Sequence, residues 1–168
     1  MTKLNITPTK RVGLIFLSGE NTEIVAHLEK RQKTPGGKIT WQGVHVATVG
    51  GKIRDGENEL TALCRLLKEK FGQFMTMWII TTLVENGPES QTLFKNDRIT
   101  LFGFKVKSAL LTSIHPRMGR DGFSRITVED MSQIVLAEKS WKHQPHNKEG
   151  IVVFPEVNEA LEKAFGKL

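Results

Sequence analysis

Residues 11–17, RVGLIFL, form an unbroken apolar run that predicts a strand covered on both faces. After the turn SGEN, residues 23–32 alternate apolar and polar, as its antiparallel hairpin partner would. The segment KTPGGKITWQG carries Pro35, Gly36 and Gly37 and predicts a loop, followed by a short strand over residues 44–49. The period then changes. Between residues 57 and 71, Leu60, Leu63, Cys64, Leu67 and Phe71 recur at the i, i+3, i+4, i+7 spacing of an amphipathic helix, which Gly72 ends. Residues 74–84 and 99–114 have strand composition and flank the polar loop ENGPESQTLFKNDR, predicting a second long hairpin. Thr127 as N-cap predicts a helix over 128–139, and a short strand at 151–154 precedes a last helix at 155–165 that opens on Pro155. The pattern is α+β, with the sheet the larger part.

Composition narrows the function classes. At 168 residues, 39% hydrophobic and 25% charged, the chain is expected to form a single domain over residues 1–168 with a buried core. The 24 Lys+Arg against 18 Asp+Glu leave 24 − 18 = +6, which suits anionic partners without selecting one. Cys64 is the sole cysteine, so an intramolecular disulfide, a cysteine-based zinc site and a CxxC redox pair are all excluded. No apolar run reaches the roughly 20 residues that cross a bilayer, and the N-terminus has no signal-peptide pattern; the expectation is a cytoplasmic protein without membrane contact. Walker A, G-x-S-x-G and G-x-G-x-x-G patterns are absent.

The stretch GGKIRDGENELTALCRLLKEKFG, extended to Gln73, resembles the Nudix box, G-x5-E-x7-R-E-U-x-E-E-x-G-U with U a bulky apolar residue; it occupies residues 50–73. Gly51, Glu57, Arg65, Leu67, Glu69 and Gly72 fall on it without a gap, between an expected strand and an expected helix. The resemblance implies an α/β/α sandwich with a central mixed β-sheet, nucleoside-diphosphate derivatives as ligands, and magnesium held by box glutamates. Glu57 and Glu69 are the implied metal and catalytic residues. Arg65 is implied to orient the loop by pairing with a box glutamate, and Gly50, Gly51, Lys52, Lys70 and Trp41 are the implied ligand-binding residues.

Three positions depart from the box: Leu66 stands for the glutamate after Arg65, Lys70 for the second glutamate of the E-E pair, and Gln73 for the last apolar residue. On a helix, Leu66 lies off the stripe of Leu60, Leu63, Leu67 and Phe71, so it must pack on a neighbouring segment or form an apolar floor to the cleft. Lys70 opposes a cation directly. Unit charges about 4 Å apart interact by roughly 4 kcal/mol at an effective dielectric of about 20, and a divalent ion feels about twice that repulsion. Magnesium, which wants an octahedron of oxygens, is therefore expected to bind weakly or not at all. The ammonium is expected to stand in for one metal charge by contacting a ligand phosphate.

Further candidates are weighed against plainer roles. Glu59, Glu85, Glu89 and Asp97 are acids that an active magnesium pyrophosphohydrolase would recruit to complete its site, although loop acids are ordinary. Glu129 and Asp130 are explained by a helix start. Trp41 and His45 are placed where a base could stack, whereas Trp78 reads as core. His115, His143 and His146 lack metal-motif spacing. Trp141, Lys142, His143, His146 and Lys148 form a basic aromatic loop suited to a solvated surface or, in an RNA-binding pseudo-Nudix module, to nucleic acid. The expected function is recognition of a nucleotide derivative or a phosphorylated RNA end, with pyrophosphohydrolase activity weakened or lost; a homodimer is implied by family habit.

Overall fold

The computed structural model describes residues 10–20, 23–31, 43–107, 109–111, 123–137 and 151–166. Its strands are β1 (Arg11–Glu20), β2 (Glu23–Lys30), β3 (Val44–Ala47), β4 (Val49–Lys52), β5 (Thr92–Lys95), β6 (Ile99–Lys105), β7 (Phe123–Ile126), β8 (Ile134–Leu136) and β9 (Ile151–Val153). The helices used below are α1 (Glu59–Phe71), α2 (Gln73–Asn86) and α3 (Pro155–Ala164), with 3-10 turns at Pro88–Gln91 and Glu129–Gln133.

The sheet runs β5-β6-β1-β2-β3-β9-β8, with β4 also paired to β1 and β7 to β2. It is mixed: β1 is parallel to β6 and antiparallel to β2 and β4, while β9 is parallel to both β3 and β8. The apolar run of β1 is unbroken because both faces are covered. Val12, Leu14 and Phe16 pack with Leu63 and Leu67 of α1 and Ile79 and Leu83 of α2, whereas Ile15 and Leu17 pack with Val157, Ala160 and Leu161 of α3. Strand β6 alternates the same way, Phe102 and Phe104 toward α1 and α2 and Leu101 toward α3. The expected α+β class and the central mixed sheet between helical layers are thus observed.

Strands β1 and β2 part at a fork that Thr48 fills. β3 lies against the outer end of β2, β4 against the first half of β1, and buried Thr48 joins them. Its Oγ1 accepts from the Phe16 amide and donates to the His27 carbonyl, tying the two diverging strands together.

Three expectations need correction. Residues 73–86 are helix α2, not a strand of a second hairpin. The run QFMTMWIITTLVEN is apolar on all sides, so it lacks the 3.6-residue signal, and its β-branched residues suggest a strand. Its length favours a helix, and its threonines are absorbed by backbone carbonyls: Thr76 Oγ1 donates to Gly72 and Thr82 Oγ1 to Trp78. Consequently β6, which ends at Lys105, pairs with β5, an edge strand inside the stretch expected to be a polar loop. Finally, the helix expected over 128–139 is one 3-10 turn followed by β8. The turn's N-cap is Val128, without a side-chain cap, and not Thr127, whose amide and hydroxyl donate to Asp130 Oδ2; Ile134–Leu136 then pair with Ile151–Val153.

Candidate functional site

The glycine loop hangs between β4 and α1. Asn58 caps α1 by accepting from the Thr61 amide, and Gly72, at φ 84°, ends it with its amide bonded to the Lys68 carbonyl. Within this frame Glu57 and Arg65 form a two-pronged pair. Arg65 Nε donates to Glu57 Oε2 at 3.0 Å and Nη2 to Oε1 at 3.0 Å, and Nη2 also reaches the Lys52 carbonyl at 2.8 Å. The Arg54 amide donates to Glu57 Oε1 at 2.9 Å, closing the loop upon itself. The pairing implied for Arg65 is therefore present. The arginine hydrogen bonds, followed by the Arg54 amide, pull the Glu57 carboxyl down to about 2, and the same pair raises the Arg65 pKa.

Glu69 stands one turn beyond Arg65 with its side chain 59% exposed, its oxygen 3.7 Å from Arg65 Nη1. Leu66, half-buried, turns onto β4: a Cβ on Gly51 would lie 2.7 Å from Leu66 Cδ2, so the absence of a side chain at Gly51 admits the leucine. Lys70 reaches the strand fork. Its ammonium donates to Glu29 Oε2 at 2.6 Å and to the Thr48 carbonyl at 2.6 Å, pinning the end of α1 to β2 and the β3–β4 junction. Glu29 is a site residue that sequence reasoning missed, because the pair spans 41 residues and leaves no local pattern.

A groove of about 900 Å³ opens at the other end of α1, where Lys10, Glu57, Glu59, Glu89, Lys95 and Lys163 meet apolar walls. Glu59 Oε1 accepts from Thr100 Oγ1 at 2.9 Å and lies 3.4 Å from Lys95 Nζ. Gly50, Gly51, Lys52, Glu69 and Lys70 do not line this groove. Of the other acids considered, Glu85 lies on α2 and Asp97 in the exposed turn between β5 and β6. His45 is buried in β3 with Nε2 2.9 Å from Ser124 Oγ, so its ring faces cannot stack on a base. Burial first, then the Lys30 charge, lowers its pKa to about 4. Trp78, expected in the core, sits edge-on to Phe104 at 5.3 Å and remains 37% exposed. Trp41, His115, the PGGK segment and the basic loop with Trp141, Lys142, His143, His146 and Lys148 lie outside the described residues.

Among the described residues no three His, Cys, Asp or Glu side chains converge, Glu57 is engaged by Arg65 and Arg54, and Lys70 brings a cation to the helix face. Among those residues, too, no helix is long and apolar enough to cross a membrane.

No sequence family and no curated protein matches the chain. Solved structures do align with it. The C. elegans Ap4A hydrolase is 17% identical, over 73% of this chain and 83% of that one, with a TM-score of 0.39. DR0079 from Deinococcus radiodurans is 12% identical, over 76% and 74%, with a TM-score of 0.42. A MutT/nudix family protein from Enterococcus faecalis is 10% identical, over 97% of this chain and 64% of that one, with a TM-score of 0.44. Each is a likeness in overall architecture, and none gives a residue here its role.

Proposed function

We propose that this chain is a Nudix-like protein that recognises a nucleoside-diphosphate derivative or the phosphorylated end of an RNA, with pyrophosphohydrolase activity weakened or lost. The observation that carries this reading is the α1 face opposite β4 and the strand fork. Where the box would set acids, Leu66 packs on Gly51 and the Lys70 ammonium bonds Glu29 and the Thr48 carbonyl. Glu57, whose carboxylate is spent on Arg65 and the Arg54 amide, holds the loop in shape. Of the box acids, Glu69 is left to meet a cation, which it would hold weakly.

In this reading a magnesium ion would be held weakly by Glu69 and would supply charge neutralisation to the ligand's phosphates. The chain's own residues bind and orient. The Lys52 side chain would meet the ligand beside β4, and a ligand phosphate would take the place of Glu29 on the Lys70 ammonium. The +6 net charge favours the encounter. A second reading draws on the groove that gathers Glu57, Glu59 and Glu89, from which an active magnesium hydrolase would complete its site.

The test mixes the protein with magnesium or manganese and a panel of nucleotide sugars, dinucleotides and triphosphorylated RNA, following binding and cleavage of the phosphoanhydride bond, read from the separated products, together. The proposal expects binding without appreciable cleavage, retained when metal is chelated and lost in Lys70→Glu. Rapid cleavage abolished by Glu69→Gln, or by Glu59→Gln together with Glu89→Gln, would replace it with the enzyme reading.

A further inference from the structure

The end of the sheet where β4 runs out gathers cations that no acid balances. Arg11 of β1 stands directly opposite Lys52 of β4, and both share the α3 side of the sheet, because Arg11 is in phase with Ile15 and Leu17. Arg98, just before β6, accepts the Arg11 amide on its carbonyl, and Arg31, just after β2, is near enough for its charge to act on Arg11. Burial first, then that charge, lowers the Arg11 pKa. Arg31, Lys52 and Arg98 are exposed and Arg11 is half-buried. Among the described residues none of these cations forms an ion pair: Glu57 and Glu69 pair with Arg65, Glu29 with Lys70 and Glu59 with Lys95, while Asp55 and Asp97 pair with no side chain. Residues 1–9 and 32–42, which adjoin this end in sequence, add Lys3, Lys33 and Lys38 and no acid.

Like charges directly opposite on neighbouring strands weaken a sheet, so the Arg11–Lys52 rung costs the fold stability that a bound anion would restore. The shape of the cluster says what kind of anion. Arg98, Arg11 and Lys52 lie on or beside the adjacent strands β6, β1 and β4, so they form a row across the strands about 10 Å long at about 4.8 Å per strand spacing, with Arg31 extending it. One phosphate fills one guanidinium fork, whereas a row fits successive phosphates of a chain. The row also begins beside the candidate site, since β4 ends at Lys52, whose carbonyl accepts from Arg65.

We propose that Arg98, Arg11, Lys52 and Arg31 form a track for the phosphodiester backbone of a single-stranded RNA. The track rests on the reading above, in which a phosphorylated end meets the α1 face, and it chooses RNA over a small nucleotide because only a chain reaches both. It holds no aromatic side chain on which a base could stack, so it takes phosphates whatever the sequence.

Fluorescence anisotropy with separate probes tests the track. An oligouridylate without terminal phosphates reads the track, ADP-ribose reads the α1 face, and the same oligouridylate with a 5′-triphosphate reads both. The unphosphorylated oligouridylate is expected to bind with a log–log salt slope of about −0.7 per contacted phosphate, about −3 for the whole row. Arg11→Gln with Arg31→Gln is expected to weaken it about tenfold or more and to make the slope shallower by about 1.4, leaving ADP-ribose affinity unchanged. Because Arg11→Gln removes a like charge facing Lys52, the melting temperature is expected to hold or rise. Arg98→Gln, at an exposed turn position, gives a second variant, with a slope shallower by about 0.7. Failure of the oligouridylate to bind while ADP-ribose binds would overturn the track, as would an affinity and slope indifferent to both variants. Equally tight binding of polyglutamate of matching charge would overturn it too, making an acidic protein the occupant. Binding of the oligouridylate, sensitive to Arg11→Gln, without any binding of ADP-ribose would instead overturn the reading of the α1 face and leave the track standing.

Discussion

Gly51→Ala measures whether Leu66 fills the space beside β4. Gly51 is not among the glycines with positive φ, so its backbone accepts an alanine. The obstacle is steric. The new Cβ would stand 2.7 Å from Leu66 Cδ2 and 3.2 Å from Cδ1, so the end of the half-buried leucine side chain would have to move. Overpacking of this kind costs about 1–3 kcal/mol. With Leu66→Ala already in place the clash is gone, and Gly51→Ala should gain about 0.4–1 kcal/mol by restricting the unfolded chain. The substitution therefore changes sign between the two backgrounds, with a coupling of about 1.4–4 kcal/mol. Urea unfolding of the four proteins of the cycle reads this directly from the midpoints at constant slope. Equal effects of Gly51→Ala in both backgrounds would refute the contact, and with it the claim that an aliphatic side chain occupies the floor where the box carries an acid.

Two pH windows separate two buried or paired groups. The Glu57 carboxyl is lowered from 4.5 to about 2, so its contribution to stability is full above about 4.5 and lost as pH falls toward 2. Glu57→Gln should flatten that part of the stability curve in denaturation measured at closely spaced pH values. His45 is lowered from 6.5 to about 4. The unfolded chain then binds the extra proton first, and stability declines between about 6.5 and 4 by up to about 3 kcal/mol, a slope that His45→Gln should abolish. For Lys70 and Glu29, whose side chains are 22% and 39% exposed, solvent screening limits the coupling to about 0.5–1 kcal/mol. A Lys70→Met, Glu29→Gln cycle should show it at low salt and lose it at high salt; a salt-independent coupling would contradict the pairing.

The elements legible in the sequence are those whose determinants are local. β1 is legible because its stretch from Val12 to Leu17, covered on both faces, is apolar throughout, α1 because its stripe and its Asn58 and Gly72 ends agree, and α3 because Pro155 starts a helix. Helix α2 is illegible for a physical reason: Ile79 and Leu83 face the core while Phe74 and Met77 face outward, so the pattern has no polar side to mark the turn. β8 is formed by Ile134–Leu136 pairing with β9 across a long stretch of chain, which the local Thr127–Asp130 hydrogen bonds do not reveal. The site divides along the same line. The Glu57–Arg65 pair, eight residues apart, follows from the box spacing, whereas Lys70 with Glu29 and Leu66 with Gly51 depend on how α1 settles on the sheet.

Magnesium-dependent cleavage of ADP-ribose to AMP and ribose 5-phosphate by the wild-type chain, at saturating metal and ligand, bears most directly on the proposed loss of hydrolysis. Working enzymes turn over at about 1–10³ s⁻¹. With Leu66 and Lys70 standing where two metal-site acids belong, cleavage is predicted to stay below ~10⁻² s⁻¹ while the nucleotide binds measurably. Turnover in the ordinary enzymatic range, proportional to protein and removed by Glu69→Gln, would contradict the account.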